Sequence, residues 1–201
     1  MADWIVQTIT QFGYLGIFLL MLLEAVFPPI PSELIIPFAG FAAAKGDLSF
    51  WGVLAAASLG SLAGMVPWYL AGRLFGLARV KWLADRYGRW LTLNAAEIDM
   101  ATAWFVRFGP AIVLFGRLLP IIRTLISVPA GLARMPPLAF VTASAIGIGL
   151  WNTVLVSAGY IFHEHYHLVE QWLDPLTFLV MGGVVALYVF RLVTWSPSRL
   201  P

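Results

Sequence analysis

Leu23-Glu24-Ala25-Val26-Phe27-Pro28-Pro29-Ile30-Pro31-Ser32-Glu33 sets two carboxylates and three prolines between two apolar runs. The run before it (residues 12–23) and the run after it (34–44) are each short. Crossing a hydrocarbon core of about 30 Å takes roughly 20 helical residues, so neither run spans alone. Proline lacks an amide proton and clashes with the preceding turn, so a helix cannot continue through Pro28, Pro29 and Pro31. Residues 12–44 therefore read as a re-entrant helical hairpin. Backbone broken in this way survives at membrane depth only when it is buried in protein or lines a wet cavity.

The same grammar returns downstream. An apolar run at 108–116 meets Arg117, Pro120, Arg123 and Pro129, and a further short run ends at Arg134. That predicts a second hairpin over 108–134. Residues 48–72 and 136–162 contain no Asp, Glu, Lys or Arg and are long enough to span. Residues 175–191 form a shorter span, with Trp172 and Arg191 as interface anchors. The predicted fold is an all-α polytopic membrane protein in one membrane domain. Each hairpin is followed by a transmembrane helix, residues 73–107 form a cytoplasmic amphipathic loop in which 77–104 is a candidate surface helix held partly by anionic lipid, and a final transmembrane helix closes the chain.

Composition agrees. Of 201 residues, 61% are hydrophobic and 11% are charged, whereas soluble domains carry about 25% charge. Mean hydropathy is +0.87. So little charge cannot clothe a water-soluble surface, and the length leaves no room for a soluble catalytic domain. The absence of cysteine excludes disulfides, thiolate metal sites and a cysteine nucleophile. Met1-Ala2-Asp3-Trp4 lacks the positive start of a secretory signal, so this N-terminus is expected to be retained. Residues 4–23 are also long enough to span, which leaves the side of the N-terminus open.

Basic residues set the orientation. Arg73, Arg79, Lys81, Arg86, Arg89 and Arg107 outnumber Asp85, Glu97 and Asp99 in 73–107, while 163–174 has no Lys or Arg. Positive-inside places 73–107, Arg134 and the C-terminus in the cytoplasm, and an inner membrane is the expected location. The first hairpin then dips from the periplasmic side and the second from the cytoplasmic side. A faint repeat supports that opposition. Phe12-Gly13 recurs as Phe108-Gly109, Ala39-Gly40 as Ala130-Gly131, Gly60 as Gly147, and Ala71-Gly72 as Ala158-Gly159. Inverted repeats whose broken helices meet near the midplane are a transporter architecture.

Four ionisable residues remain at membrane depth: Glu24, Glu33, Arg117 and Arg123. Each costs a few kcal/mol or more at the bilayer centre, so such residues usually face a cavity and mark a pathway. The bland alternative is two buried salt bridges pinning the hairpins together. Buried ion pairs are poor stabilisers beside apolar packing, and all four residues sit beside helix-breaking prolines. The turn lets both carboxylates face one cavity, where a carboxylate withdrawn from water loads and releases a proton more readily. Glu33 could alternatively serve the start of the helix after Ser32. In Gly116-Arg117-Leu118-Leu119-Pro120-Ile121-Ile122-Arg123, two guanidiniums flank a proline bend and can converge. Arginine offers a planar donor fork matched to phosphate or carboxylate. The expected site therefore couples protons through Glu24 and Glu33 and holds an anion on Arg117 and Arg123. Pro28, Pro29, Pro31 and Pro120 shape its turns.

These stretches resemble the DedA (VTT-domain) membrane proteins. Leu23-Glu24, Pro31-Ser32-Glu33, Ala39-Gly40, the Gly116–Arg123 string and Ala130-Gly131 carry the resemblance, which covers most of 12–160. One departure is Pro31-Ser32-Glu33, where the family usually has Pro-Gly-acid. The resemblance implies two membrane-embedded acids and an arginine pair as functional residues, matching Glu24, Glu33, Arg117 and Arg123. It also implies lipid or ion transport: translocation of undecaprenyl phosphate, phospholipid scrambling, or function linked to proton-motive force.

The expectation is a transporter of anionic lipid, with protons and membrane lipids as partners, a further copy of the chain as a candidate partner, and no nucleic acid. Proton-coupled antiport of a small ion or cationic compound is the alternative within transport, and a non-transporting scaffold lies outside it. No enzymatic role is expected, because every histidine lies at His163, His165 or His167. His163 and His167 have metal-like spacing, but no further ligands accompany them, so no metal or cofactor is expected. The tryptophans read as interfacial anchors, except Trp68 and Trp151, which fall mid-span.

Overall fold

The structure, a computed structural model, describes residues 2–26, 32–91, 95–119 and 122–162, with 182, 183, 186, 189, 190 and 192–194 near the end. Pro28, Pro29, Pro31, Pro120, the three histidines and most of the expected 175–191 span lie outside the described residues. The elements are α1 (Ala2–Val26), α2 (Ser32–Ala44), α3 (Phe50–Leu91), α4 (Ala95–Arg117), α5 (Ile122–Leu125), α6 (Ser127–Leu132) and α7 (Pro137–Ile161). Among the described residues there is no strand. Among the described residues, four helical stretches are long and apolar enough to cross a membrane: Trp4–Val26, Phe50–Trp82, Ile98–Arg117 and Pro137–Ile161.

Two helices are broken where the sequence repeats itself. Gly13 interrupts α1 at φ 54°, ψ −128°, a backbone state that glycine alone adopts without strain. Phe108 interrupts α4 at φ −129°, ψ 16°, with Pro110 just beyond it. Pro110 has no N–H to give the preceding turn, so the ladder is already weak there. The arm 14–26 thus follows a separate piece at 2–12, and the arm 109–117 follows one at 95–107. The stretch 73–107 is more helical than a loop: α3 runs past Gly72 to Leu91, and α4 starts at Ala95. No proline falls between Pro67 and Pro110 to stop it. Within α3, Gly76 takes φ 73°.

The two halves exchange partners. The arm of α1 packs on α3 and that of α4 packs on α7, each within its own half. The return arms cross over, α2 packing on α7 and α6 on α3. The repeated glycines sit at these crossings. A Cβ at Gly40 would strike the Val156 carbonyl and one at Gly159 the Pro37 carbonyl. At the other crossing, Gly131 meets Tyr69 and Gly72 meets Val128 in the same way. Small residues let backbones approach this closely where no hydrophobic effect drives helices together in lipid.

The core falls into two apolar clusters. One gathers Ile17, Leu20, Met21, Ile35, Ile36, Val53 and Val156. The other gathers Met65, Tyr69, Val113, Ile126, Phe140 and Ile148. Ser58 and Ser61 on α3 and Asn152 on α7 fall, along their helices, between the residues of the two clusters.

Candidate functional site

Glu24 stands near the end of the α1 arm and Arg117 closes α4. Each therefore arrives at the last turn of a half-helix, just before a break. Arg123 lies on the short α5 between the breaks, and Ser32 and Glu33 open α2. The exchanged packing brings all these ends together.

Arg123 is the hub. Its Nη2 donates to the Glu24 carboxylate and to the Ser32 hydroxyl. The same nitrogen lies 3.8 Å from Glu33 Oε1. Both carboxylates therefore face one guanidinium. Glu24 is 4% exposed, whereas the Glu33 side chain is 31% exposed, so the two acids occupy very different surroundings.

Arg117 is also 4% exposed, but its partners are neutral. Its Nη1 donates to the Arg123 carbonyl. Its Nη2 meets Ser127 Oγ at 2.8 Å and Met65 Sδ at 2.9 Å. The guanidinium carbon lies 5.8 Å from the Phe140 ring centroid, within reach of a cation–π attraction. Among the described residues, no carboxylate comes within 4 Å of it. Ser32 and Ser127 are completely buried, which holds the donors of both arginines in place.

A cavity of about 30 Å³ lies against these groups, lined by Glu24, Met65, Trp68, Arg117, Arg123, Trp151 and Asn152, among others. A water-sized probe occupies 10–15 Å³, so the cavity holds only a few water-sized positions. Among the described residues, three N–H groups on its lining residues are buried without an acceptor: Arg117 Nε, Arg123 Nε and Trp151 Nε1. What such a site can do chemically is accept a compact, proton-poor group such as an oxyanion.

The structure thus brings Glu24, Glu33, Arg117 and Arg123 into one locus. Arg134 stays apart and exposed, at φ 51°. Sequence reasoning missed Ser32, Ser127 and Met65 as arginine partners. Ser127 sits four residues after Arg123 and Ser32 precedes Glu33, but an apolar-rich chain gives no signal for which serine a guanidinium will reach.

The VTT domain model matches residues 11–161. A protein of Staphylococcus aureus (strain NCTC 8325 / PS 47) named undecaprenyl phosphate transporter A is 35% identical over 199 residues, covering 99% of this chain and 98% of the relative. Another of that name, from Bacillus subtilis (strain 168), is 31% identical over 188 residues, 92% of this chain and 90% of the relative. A Lactococcus lactis subsp. cremoris (strain MG1363) protein named alkaline phosphatase-like protein is 36% identical over 200 residues, 99% of this chain and 94% of the relative. No solved structure matches the chain. With a domain match across most of its length and four span-capable helices, this chain is a multi-pass membrane protein that belongs to the VTT-domain family.

Proposed function

We propose that the protein moves an anionic lipid between leaflets, with undecaprenyl phosphate as the leading substrate and proton coupling through Glu24 and Glu33. One observation carries the reading. Both carboxylates converge on Arg123, which leaves Arg117 a buried cation held only by neutral acceptors. A purely structural quartet would form two ion pairs, because an uncompensated buried charge is strongly destabilising. A phosphate headgroup supplies the missing negative charge. The names of the Staphylococcus and Bacillus relatives point the same way.

In this reading the small cavity represents the closed site. Protonation of Glu24 removes its hold on Arg123 and turns that guanidinium toward the headgroup beside Arg117. Loss of the proton restores the internal pair and displaces the phosphate. The arms 14–26 with α2, and 109–117 with α5 and α6, act as re-entrant hairpins opening from opposite faces. The lipid tail stays in the bilayer while its headgroup passes between them.

Proteoliposomes carrying labelled undecaprenyl phosphate in one leaflet test the proposal. Leaflet exchange above that of empty liposomes, lost in Arg117→Ala, is expected. Exchange equal to empty liposomes from folded protein overturns it. The Lactococcus name motivates one more readout in the same vesicles. Release of inorganic phosphate instead of exchange would mark a phosphatase acting through the same arginines.

A further inference from the structure

We infer that the indole N–H of Trp151 is a neutral donor to the headgroup that the two arginines bind. This assignment rests on the anionic-lipid reading above. Trp151 lies on α7 and lines the same cavity as Arg117 and Arg123. Its Nε1 is buried and has no acceptor. A buried indole N–H normally finds a partner, because leaving a donor unsatisfied costs the full desolvation of that group.

Trp68 supplies the contrast. It is the other mid-span tryptophan on the cavity wall, and its Nε1 donates to the Ala25 carbonyl at 2.9 Å. That bond holds the end of the α1 arm, so the Trp68 N–H already has structural work. The N–H of Trp151 has no acceptor among the described residues. Its neighbour Asn152 is likewise occupied, with Nδ2 3.2 Å from Ser58 Oγ.

The repeat shows that the fold does not demand an indole at this position. Gly60 and Gly147 are related by an offset of 87 residues, and the same offset pairs Trp151 with Gly64. A Cβ at Gly64 would run into Ala25 and Leu22. The first half closes there by close approach, whereas the second half carries a large ring with a polar edge. Phenylalanine would fill most of that volume. What tryptophan adds is a donor.

The three orphaned N–H groups belong to residues of one cavity: two charged ones on Arg117 and Arg123, and the neutral one on Trp151. A single ligand class can satisfy all three, an oxyanion whose oxygens only accept. A phosphate headgroup fits that description, whereas a cation or an uncharged alcohol does not. Trp151 then adds a directional bond without adding charge, which keeps release of the headgroup feasible.

The test uses the purified full-length chain in detergent micelles and follows thermal melting against a titrated polyprenyl phosphate, with the matching polyprenol as the neutral probe. Trp151→Phe should melt at or above the wild-type temperature without lipid, since it removes an orphaned donor. Its affinity for the polyprenyl phosphate should fall about tenfold or more, the scale of one hydrogen bond to a charged group. Its response to the polyprenol should not change. Trp68→Phe, which loses a hydrogen bond that is made in the protein, should melt lower without lipid. Replacing Trp151 with benzothienylalanine, which keeps the ring shape and lacks the N–H, repeats the test without a change of packing. Wild-type affinity in the benzothienyl variant overturns the assignment, as does unliganded melting lowered as far as in Trp68→Phe. If the wild-type protein shows no phosphate-dependent shift, the anionic-lipid reading itself fails and the assignment falls with it.

Discussion

Arg117 and Met65 meet through Nη2 and Sδ at 2.9 Å, so a buried guanidinium rests partly on a thioether. Sulfur of this kind is a weak acceptor. A fold selecting for stability alone would put a carboxylate there, or no arginine at all. The contact leaves Arg117 with a weaker partner than an oxygen acceptor would give.

Replacing Arg117 with methionine separates the two interpretations. Removing a buried charge that has no carboxylate in direct contact should leave melting temperature unchanged or raised. Leaflet exchange should meanwhile fall by about 100-fold or more, the scale seen when a preorganised charge-stabilising donor is lost. Arg117→Lys keeps the charge but loses the planar fork, and it should recover only part of the rate. A methionine variant that unfolds with its exchange intact per folded molecule would instead assign Arg117 to structure.

The two glutamates should differ. Glu24 is buried and bonded to Arg123, so Glu24→Gln should cost about 1–3 kcal/mol in denaturant unfolding. It should also make the exchange rate indifferent to an imposed proton gradient, because glutamine stays neutral throughout. Glu33 lies farther from Arg123 and its side chain is 31% exposed. An ion pair wetted to that degree contributes less than about 1 kcal/mol, so Glu33→Gln should barely alter stability. Equal gradient responses in Glu24→Gln and wild type would remove Glu24 from proton coupling.

Ser32 and Ser127 hold the arginines from opposite halves. Each alanine substitution leaves a buried charged donor short of an acceptor, worth about 1–3 kcal/mol. The double variant should lose polyprenyl phosphate affinity beyond the sum of the single effects, since both serines orient donors toward one ligand. Isothermal titration of the four proteins measures that coupling. Strict additivity would mean that the serines act on separate tasks.

Much of this arrangement was legible before any coordinates. Prolines 28, 29 and 31, and the charges beside them, predict an end to the first apolar run, because proline cannot extend a helix and charge cannot sit in lipid unaided; α1 ends at Val26 and α2 opens at Ser32. Phe12-Gly13 and Phe108-Gly109 were visible as a repeat, and the breaks in α1 and α4 fall at Gly13 and Phe108. The helical character of 77–104 is legible in its mix of charge and tryptophan, with no proline between Pro67 and Pro110 to stop it. That α3 runs on past Gly72 is not legible, because the change there from apolar to charged residues reads as the end of a span. The assignment of partners was hidden too. Which carboxylate meets Arg123 depends on the crossing of α2 over α7 and α6 over α3, which arises from tertiary packing and leaves no local signature.

That crossing makes a prediction of its own. Gly40 and Gly159 touch the opposing backbone at one crossing, and Gly72 and Gly131 at the other. A carbonyl cannot yield as a flexible side chain does, so Gly131→Val or Gly40→Val must push two helices apart. Overpacking of this kind costs about 1–3 kcal/mol, occasionally more. Because each return arm carries part of the arginine site on the other half's span, separation at either crossing should disturb the site from a distance. Both variants should therefore lower melting temperature and leaflet exchange together. Gly149 has open space around its Cβ position, and its change to alanine should stabilise α7 by up to about 1 kcal/mol through helix propensity alone. Exchange should then stay at the wild-type rate. If Gly131→Val melts and transports as Gly149→Ala does, the halves are not locked by these crossings, and the convergence of Glu24 on Arg123 needs another cause.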